Sequence, residues 1–367
     1  MKGLYIHIPF CKSICSYCDF PKMVSSDCIK TKYVSKLIKE ISSYKKHFKE
    51  IDTVFIGGGT PNSLSLELLE KIFISIDDVL KNSKESTIEL NPELITYDLC
   101  ALLKKYNFTR VSLGIESIKE ETIKLINRSH NKKMVIDSIK LLKDFGINNI
   151  NCDFIFGFPY EDMNDIKNNL DFIKSLDITH VSYYSLILED KTVFKYQYDK
   201  GLLKFPDDDL VADMYYYIKK ELENMGYHHY EISNFAKNGY YSLHNLKYWN
   251  CIEYIGCGLA AAGYLSEIRY ENCSKMKDYL ENDIVIIDSI KIENIEKKKE
   301  FMMMGLRLVD GVSQKKYFEL FKNDLLTDFK DEIERLLKKD IIEINGDKIK
   351  IKPDKLFLAN VAFREFV

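Results

Sequence analysis

Apolar and polar positions along the first half of the chain alternate between two periods. Leu4–Ile8 is a short unbroken apolar run of the kind that forms a buried strand, and a 3.6-residue pattern follows from about Ile29 to Phe48. Thr53–Ile56, Thr87–Leu90, Arg110–Ile115, Asn151–Phe156 and His180–Leu186 are further strand candidates. Helical patterns near Leu66–Leu80, Tyr97–Tyr106, Met134–Phe145 and Asp165–Leu176 separate them. Strand followed by helix, repeated six times, predicts an α/β fold: a partial (βα)6 barrel of the TIM-like kind, with parallel strands. Beyond residue 200 the pattern loosens. Asp207–Met225 predicts a helix with acidic residues at its start and Gly226 after its end, and an aromatic-rich stretch, Tyr227–Tyr264, has weak periodicity. Helical patterns return at Glu296–Leu308, Gln314–Phe321 and Leu326–Lys338. Ile341–Ile344 and Lys348–Lys352 flank Asn345-Gly346, a strong hairpin signal. The expected organisation is a barrel over 1–200, an extension over 201–290 that completes it, and a winged-helix-like terminal domain over 291–367.

Composition narrows the class. Of 367 residues 46% are hydrophobic and 30% charged, enough apolar mass for a sizeable core. Lys+Arg 53 against Asp+Glu 56 leaves a net charge of -3, so no general basic field favours nucleic acid despite the winged-helix-like end. The first twenty residues lack a signal-peptide pattern, and no apolar run reaches the roughly 18 residues of a membrane helix. A soluble, cytoplasmic protein is expected. Nine cysteines, unevenly spaced, do not describe a secreted disulfide scaffold.

Three of those cysteines carry chemistry. Cys11, Cys15 and Cys18 fall within eight residues directly after the first strand, where the loops of a βα barrel form its functional mouth. Three thiolates suit three irons of a [4Fe-4S] cluster and leave the fourth iron open. The alternative is a structural zinc site, which normally needs four ligands; His7, the nearest further candidate, lies in the strand. The remaining six, Cys28, Cys100, Cys152, Cys251, Cys257 and Cys273, are scattered and read as small buried apolar residues.

The later strand ends carry further polar groups. Gly57-Gly58-Gly59-Thr60-Pro61 closes the second strand; glycines there allow a ligand close to the backbone, or simply a tight turn. Glu89 and Glu116 close later strands, Asp153 begins the acidic end of Asn151–Gly157, and Arg128 lies in a loop. Carboxylates accept from ammonium or ribose hydroxyls and arginine clamps carboxylates, although each alone is as well explained by a salt bridge.

The CxxxCxYC loop after LYIHIPF resembles the cluster motif of the radical S-adenosylmethionine (SAM) proteins. That resemblance implies a SAM molecule chelated to the open iron and cleaved by an electron to a 5′-deoxyadenosyl radical. Gly58, Gly59 and Thr60 match the family's GGTP segment at the methionine end of SAM. With Glu89, Glu116, Arg128 and Asp153 they resemble the SAM-contacting set of the oxygen-independent coproporphyrinogen III oxidase group, in which Tyr5 and Tyr17 match ligand-contacting aromatic positions. Glu116 departs from the glutamine usual there.

Two features separate branches of that group. The oxidases carry a further cysteine two residues after the third, where this chain has Phe20. Tyr230-Glu231-Ile232-Ser233-Asn234-Phe235-Ala236 and His244-Asn245-Leu246-Lys247-Tyr248-Trp249 are similar to blocks of the HemW-type heme chaperones. Membership there implies heme as a third ligand and apo-hemoproteins as acceptors, with membrane respiratory enzymes reached at the inner face of the membrane among them. Coproporphyrinogen III oxidase activity is the alternative. His244 is the expected axial ligand to heme iron, with Cys251, His228 and His229 in competition. The family's GxGxGAHS-like segment is altered here to Gly256-Cys257-Gly258-Leu259-Ala260-Ala261-Ala262-Gly263, lacking an inner glycine and the histidine.

Overall fold

The structure, a computed structural model, describes residues 1–367. Six parallel strands lie side by side in chain order: β1 (Lys2–Ile8), β2 (Ile51–Gly58), β3 (Glu85–Leu90), β4 (Arg110–Glu116), β5 (Asn149–Phe156) and β6 (His180–Ser185). Each is followed by at least one helix, and the strands alternate an outward apolar row with an inward polar one. The inward row of β5 and β6 shows this in register: Asn151 opposes His180 and Asp153 opposes Ser182. The outward residues Cys152, Phe154, Val181 and Tyr183 are buried under the helices.

The sheet does not stop at the six expected strands. β7 (His228–Glu231) and β8 (Asn234–Ala236) extend it antiparallel beyond β6. On the other edge β9 (Tyr254–Cys257) pairs parallel with β1, and the antiparallel β10 (Ala262–Leu265), β11 (Ile268–Asn272) and β12 (Ile286–Lys291) continue outward from it. The aromatic-rich stretch with weak periodicity therefore supplies both flanks of the barrel. Its strands are only three or four residues long up to Cys257, too short to establish a period.

Two expected helices are broken. Leu66–Ser75 and Asp77–Asn82 are separate because Ile76 leaves the helical region (φ -124, ψ 15) with its side chain fully buried. Leu325–Asp328 and Lys330–Lys338 divide in the same way at the buried Phe329. In both places tertiary burial overrides local helical preference. The predicted hairpin forms as β14 (Ile342–Asn345) and β15 (Lys348–Ile351), beside an unforeseen two-residue strand β13 (Val312–Ser313). One apolar core runs from Leu4 in β1 to Phe366, so the terminal helices pack onto the barrel without a break. No helix is long and apolar enough to cross a membrane.

Candidate functional site

The cysteine loop is pinned at both ends by backbone hydrogen bonds. Cys11 N–H donates to Met23 O (2.9 Å) and Met23 N–H to Pro9 O (2.7 Å), while Ser16 N–H reaches Ile126 O across the barrel mouth (3.2 Å). Cys11, Cys15 and Cys18 are free, half-buried, and line one cavity of about 490 Å³ at the C-terminal ends of the strands. Burial pushes their thiols up, Cys15 to about 11, against the opposing charge of Arg128; Lys22 acts likewise on Cys18. Nowhere do three or more Cys, His, Asp or Glu side chains converge tightly enough for a single ion. Separated thiols fit a four-iron cluster, whose corners are themselves spread apart, and iron binding would remove the thiol protons that burial retains.

The same cavity is lined by Tyr17, Gly58, Gly59, Thr60, Glu89, Glu116, Arg128 and Asp153. Gly58 takes φ +112, the left-handed region where a side chain is strained, and its N–H donates to Glu89 Oε2 (3.0 Å). Thr60 Oγ1 donates to Cys11 Sγ (3.6 Å), joining the glycine loop to the thiols. Glu116 also has a left-handed backbone, φ +64, at a register shift between β4 and β5. Such a bulge re-aims a side chain at the cost of local strain, here into the cavity.

Glu89 and Glu116 thus lie at the ends of β3 and β4 and Asp153 within β5, all on one cavity wall with Arg128. Burial and the neighbouring Asp153 push Glu89 up to about 8. Burial, opposed by Arg128, leaves Glu116 at about 7. Asp153 is also pushed up by burial, although Ser112 Oγ (2.6 Å) and Asn151 Nδ2 (2.8 Å) donate to it. Arg128 donates to Asn91 Oδ1 (3.0 Å) and Gly114 O, stands 4.0 Å from Glu116, and keeps a buried Nε without an acceptor. A ligand with both an ammonium and a carboxylate suits this set: the acids gain a cation that favours their ionisation, and the arginine gains an acceptor. Asn91, Tyr184, Leu186 and Ile187 also line the cavity and were not foreseen. The parity of β6 carried the signal for Tyr184, since it follows Ser182 by two residues on the inward row.

Two expected ligand positions lie elsewhere. Tyr5 is not on the cavity wall; its hydroxyl pairs with His7 Nδ1 (2.9 Å) and its ring packs near Phe55, one layer below. The larger correction concerns His244. It lies at the N-terminal ends of the strands, 0% exposed, with Nδ1 2.9 Å from Thr53 Oγ1 and Nε2 2.8 Å from Tyr248 Oη. Burial lowers it to about 3 and holds it neutral. With both nitrogens engaged and no accessible surface it offers nothing to a porphyrin. Among its competitors, His229 is buried and stacked on Phe235 at 4.3 Å, burial pushes Cys251 up to about 12, and His228 is exposed. The altered glycine segment also stays out of the cavity: Gly258 N–H donates to the buried Glu40, and Leu259 N–H to Tyr33 Oη.

The barrel, the thiol loop and the strand-end acids define a radical SAM protein. Residues 5–173 match the Radical SAM superfamily, whose iron–sulfur and SAM chemistry the cavity suits, and residues 292–357 match the HemN C-terminal domain. The fold is that of the HemN coproporphyrinogen III oxidase of Escherichia coli, with a TM-score of 0.85 over 99% of this chain and 89% of that one at 18% identity. Sequence similarity is higher elsewhere. The heme chaperone HemW of Lactococcus lactis is 35% identical over 99% of this chain and 96% of its own length. That of Bacillus subtilis is 35% identical over 100% and 99%. The chain belongs to the HemW family.

Proposed function

We propose that this protein is a heme chaperone that binds a [4Fe-4S] cluster and SAM in one cavity and passes heme to apo-hemoproteins. Cys11, Cys15 and Cys18 would hold the cluster. Gly58, Gly59, Thr60, Glu89, Glu116, Arg128 and Asp153 would hold SAM, with Tyr17 against it. SAM bound to a reduced cluster is a source of a carbon radical, and the protein's part is to position it and keep water out. Tyr5 acts from below, through His7, to orient the first strand's end. The expected setting is the cytoplasm, with acceptors that include respiratory enzymes met at the inner face of the membrane.

One observation carries the reading: the cavity joins a polar, thiol-bearing wall to an apolar rim. Phe20 is 62% exposed and Ile187 64%, with Tyr184 and Leu186 beside them. Exposed apolar side chains of that size around a polar pocket mark a place for a flat apolar ligand. Phe20 also occupies the position where the oxidases have a further cysteine. The test is anaerobic reconstitution of the cluster, spectra with and without SAM, and then heme titration beside an assay with coproporphyrinogen III. Stoichiometric heme binding with no decarboxylation is expected. Turnover of coproporphyrinogen III by protein that binds no heme would overturn the reading in favour of the oxidase.

A further inference from the structure

The terminal helical region, which packs on the barrel at many points, also bridges to the edge strand β7. Ile232 N–H donates to Arg307 O (3.1 Å) and Val309 N–H to Tyr230 O (3.1 Å), a short antiparallel bridge onto β7. Arg307 projects from this bridge between two rings, its Cζ 4.4 Å from the centre of Trp249 and 5.4 Å from that of Phe363. Both rings are within cation–π reach of the guanidinium.

The group has no acceptor. Arg307 makes no side-chain hydrogen bond or ion pair, and its Nε is buried and unpartnered. Trp249 Nε1, on the ring beneath it, is a second buried donor without an acceptor. Glu231, the nearest acid acting on Arg307, does not pair with it. Its Oε1 instead accepts from Ser233 N–H (3.2 Å) and Asn234 Nδ2. The bridge sits against the end of β6: Tyr183 N–H donates to Ser233 O (2.8 Å), one residue on from Ile232, and the next residue, Tyr184, lines the thiol cavity. Arg307 and Trp249 are not on that wall, but a guanidinium without a protein acceptor, two strands from a ligand cavity, suits a planar oxyanion.

We propose that Arg307, with Trp249 Nε1, is the carboxylate-binding site of the porphyrin ligand, taking one propionate of a heme seated in the adjoining cavity. This rests on the heme-chaperone reading and adds to it the group that recognises the ligand's acid side chain. It also gives the terminal domain a part in binding, since bridging to the edge strand and completing the site become one act.

The test compares heme with its dimethyl ester, which keeps iron and ring but loses the carboxylates. Both are titrated into reconstituted wild-type protein, Arg307→Met and Arg307→Lys. Wild type should bind heme about tenfold more tightly than the ester. Arg307→Met should bind heme about as weakly as wild type binds the ester, and no longer discriminate. Arg307→Lys keeps a cation between the rings and should retain part of the preference; it serves if the methionine variant does not fold. SAM affinity should not change. Equal loss of heme and ester in the variants, an unchanged preference, or a loss of SAM instead would each overturn the assignment. Failure of wild type to bind either ligand would remove the chaperone reading and this inference together, whereas heme binding with an unchanged preference removes only this one.

Discussion

The two ends of the barrel are both polar and both buried, yet they are different kinds of place. At the floor, the charged groups and the histidine that hold the plugging helix are paired. Glu85 accepts the N–H groups of Leu243 and His244 at the start of the helix Leu243–Trp249 (3.0 and 2.9 Å). Lys247 donates to Asp52 (2.6 Å), and both nitrogens of His244 are engaged. Even Gly3 is shaped by the plug, since a Cβ there would lie 2.9 Å from the His244 ring. At the mouth the thiols are free, Arg128 keeps an unsatisfied Nε, and two carboxyl groups have affinities for protons near neutrality. Buried polarity alone does not mark function. Unspent hydrogen-bonding and charge capacity around a cavity does, because a ligand is what spends it.

The largest expected effect separates the two ends outright. Replacing Cys11, Cys15 and Cys18 together by alanine should abolish the iron–sulfur absorbance after anaerobic reconstitution. The side chains make few contacts, so stability of the iron-free protein should change by less than about 1 kcal/mol. Ultraviolet-visible spectra and a thermal melt read both. A retained chromophore would place the cluster elsewhere, and a collapsed fold would show that the loop is structural.

The mouth was legible in the sequence and the floor was not, for a physical reason. Ligand-binding groups cluster at the ends of consecutive strands, so CxxxCxYC, the glycine run, Glu89, Glu116 and Asp153 occur in a fixed rhythm that follows the βα units. The floor is assembled from residues far apart in the chain: His244 meets Thr53 across 191 positions and Lys247 meets Asp52 across 195. Nothing local in His-Asn-Leu-Lys-Tyr-Trp distinguishes a histidine that plugs a barrel from one that binds iron. The parallel strand β9 escaped notice similarly, as four residues with no period, identified only by the edge of β1 that they cover.

At the floor, Lys247→Met should cost about 3–5 kcal/mol, because it strands Asp52 in a buried site with only the outlying Lys84 (3.4 Å) near it. Asp52→Leu together with Lys247→Met should recover much of that loss, as removing a whole buried pair costs less than breaking it. Denaturant unfolding of the two single variants and the double gives the coupling. Additive losses would show that the pair is not coupled, and a changed cluster spectrum would mean that the ends communicate.

His244→Ala tests the same boundary more narrowly. Losing two hydrogen bonds and leaving a cavity in the floor should cost about 2–4 kcal/mol. Heme affinity of the folded variant should stay within about twofold of wild type. A loss of heme binding at unchanged stability would return this histidine to the ligand site.

The smallest effect concerns Glu161, which stands on the mouth side but is satisfied in the floor's manner. Its Oε2 accepts the N–H groups of Gly157 (2.7 Å) and Phe158 (3.1 Å), while its Oε1 is buried without a partner. Burial raises it from the usual 4.5 to about 8, the two backbone donors opposing the shift only in part. The folded state therefore holds this proton where the unfolded chain has released it. Its contribution to stability is full below about pH 4.5, declines as pH rises toward 8, and is lost above. Glu161→Gln keeps an oxygen for the two N–H groups and puts an amide where the carboxyl proton would stand, so it mimics the protonated form at every pH. The melting temperature of wild type should fall relative to this variant as pH rises from 5 to 8. The other raised acids, Glu40, Glu89, Glu116, Asp153 and Glu231, titrate in both proteins and cancel in the difference. A difference that does not vary with pH would mean that Glu161 is already ionised in the fold, as a ligand-facing acid at the mouth is expected to become when its cation arrives.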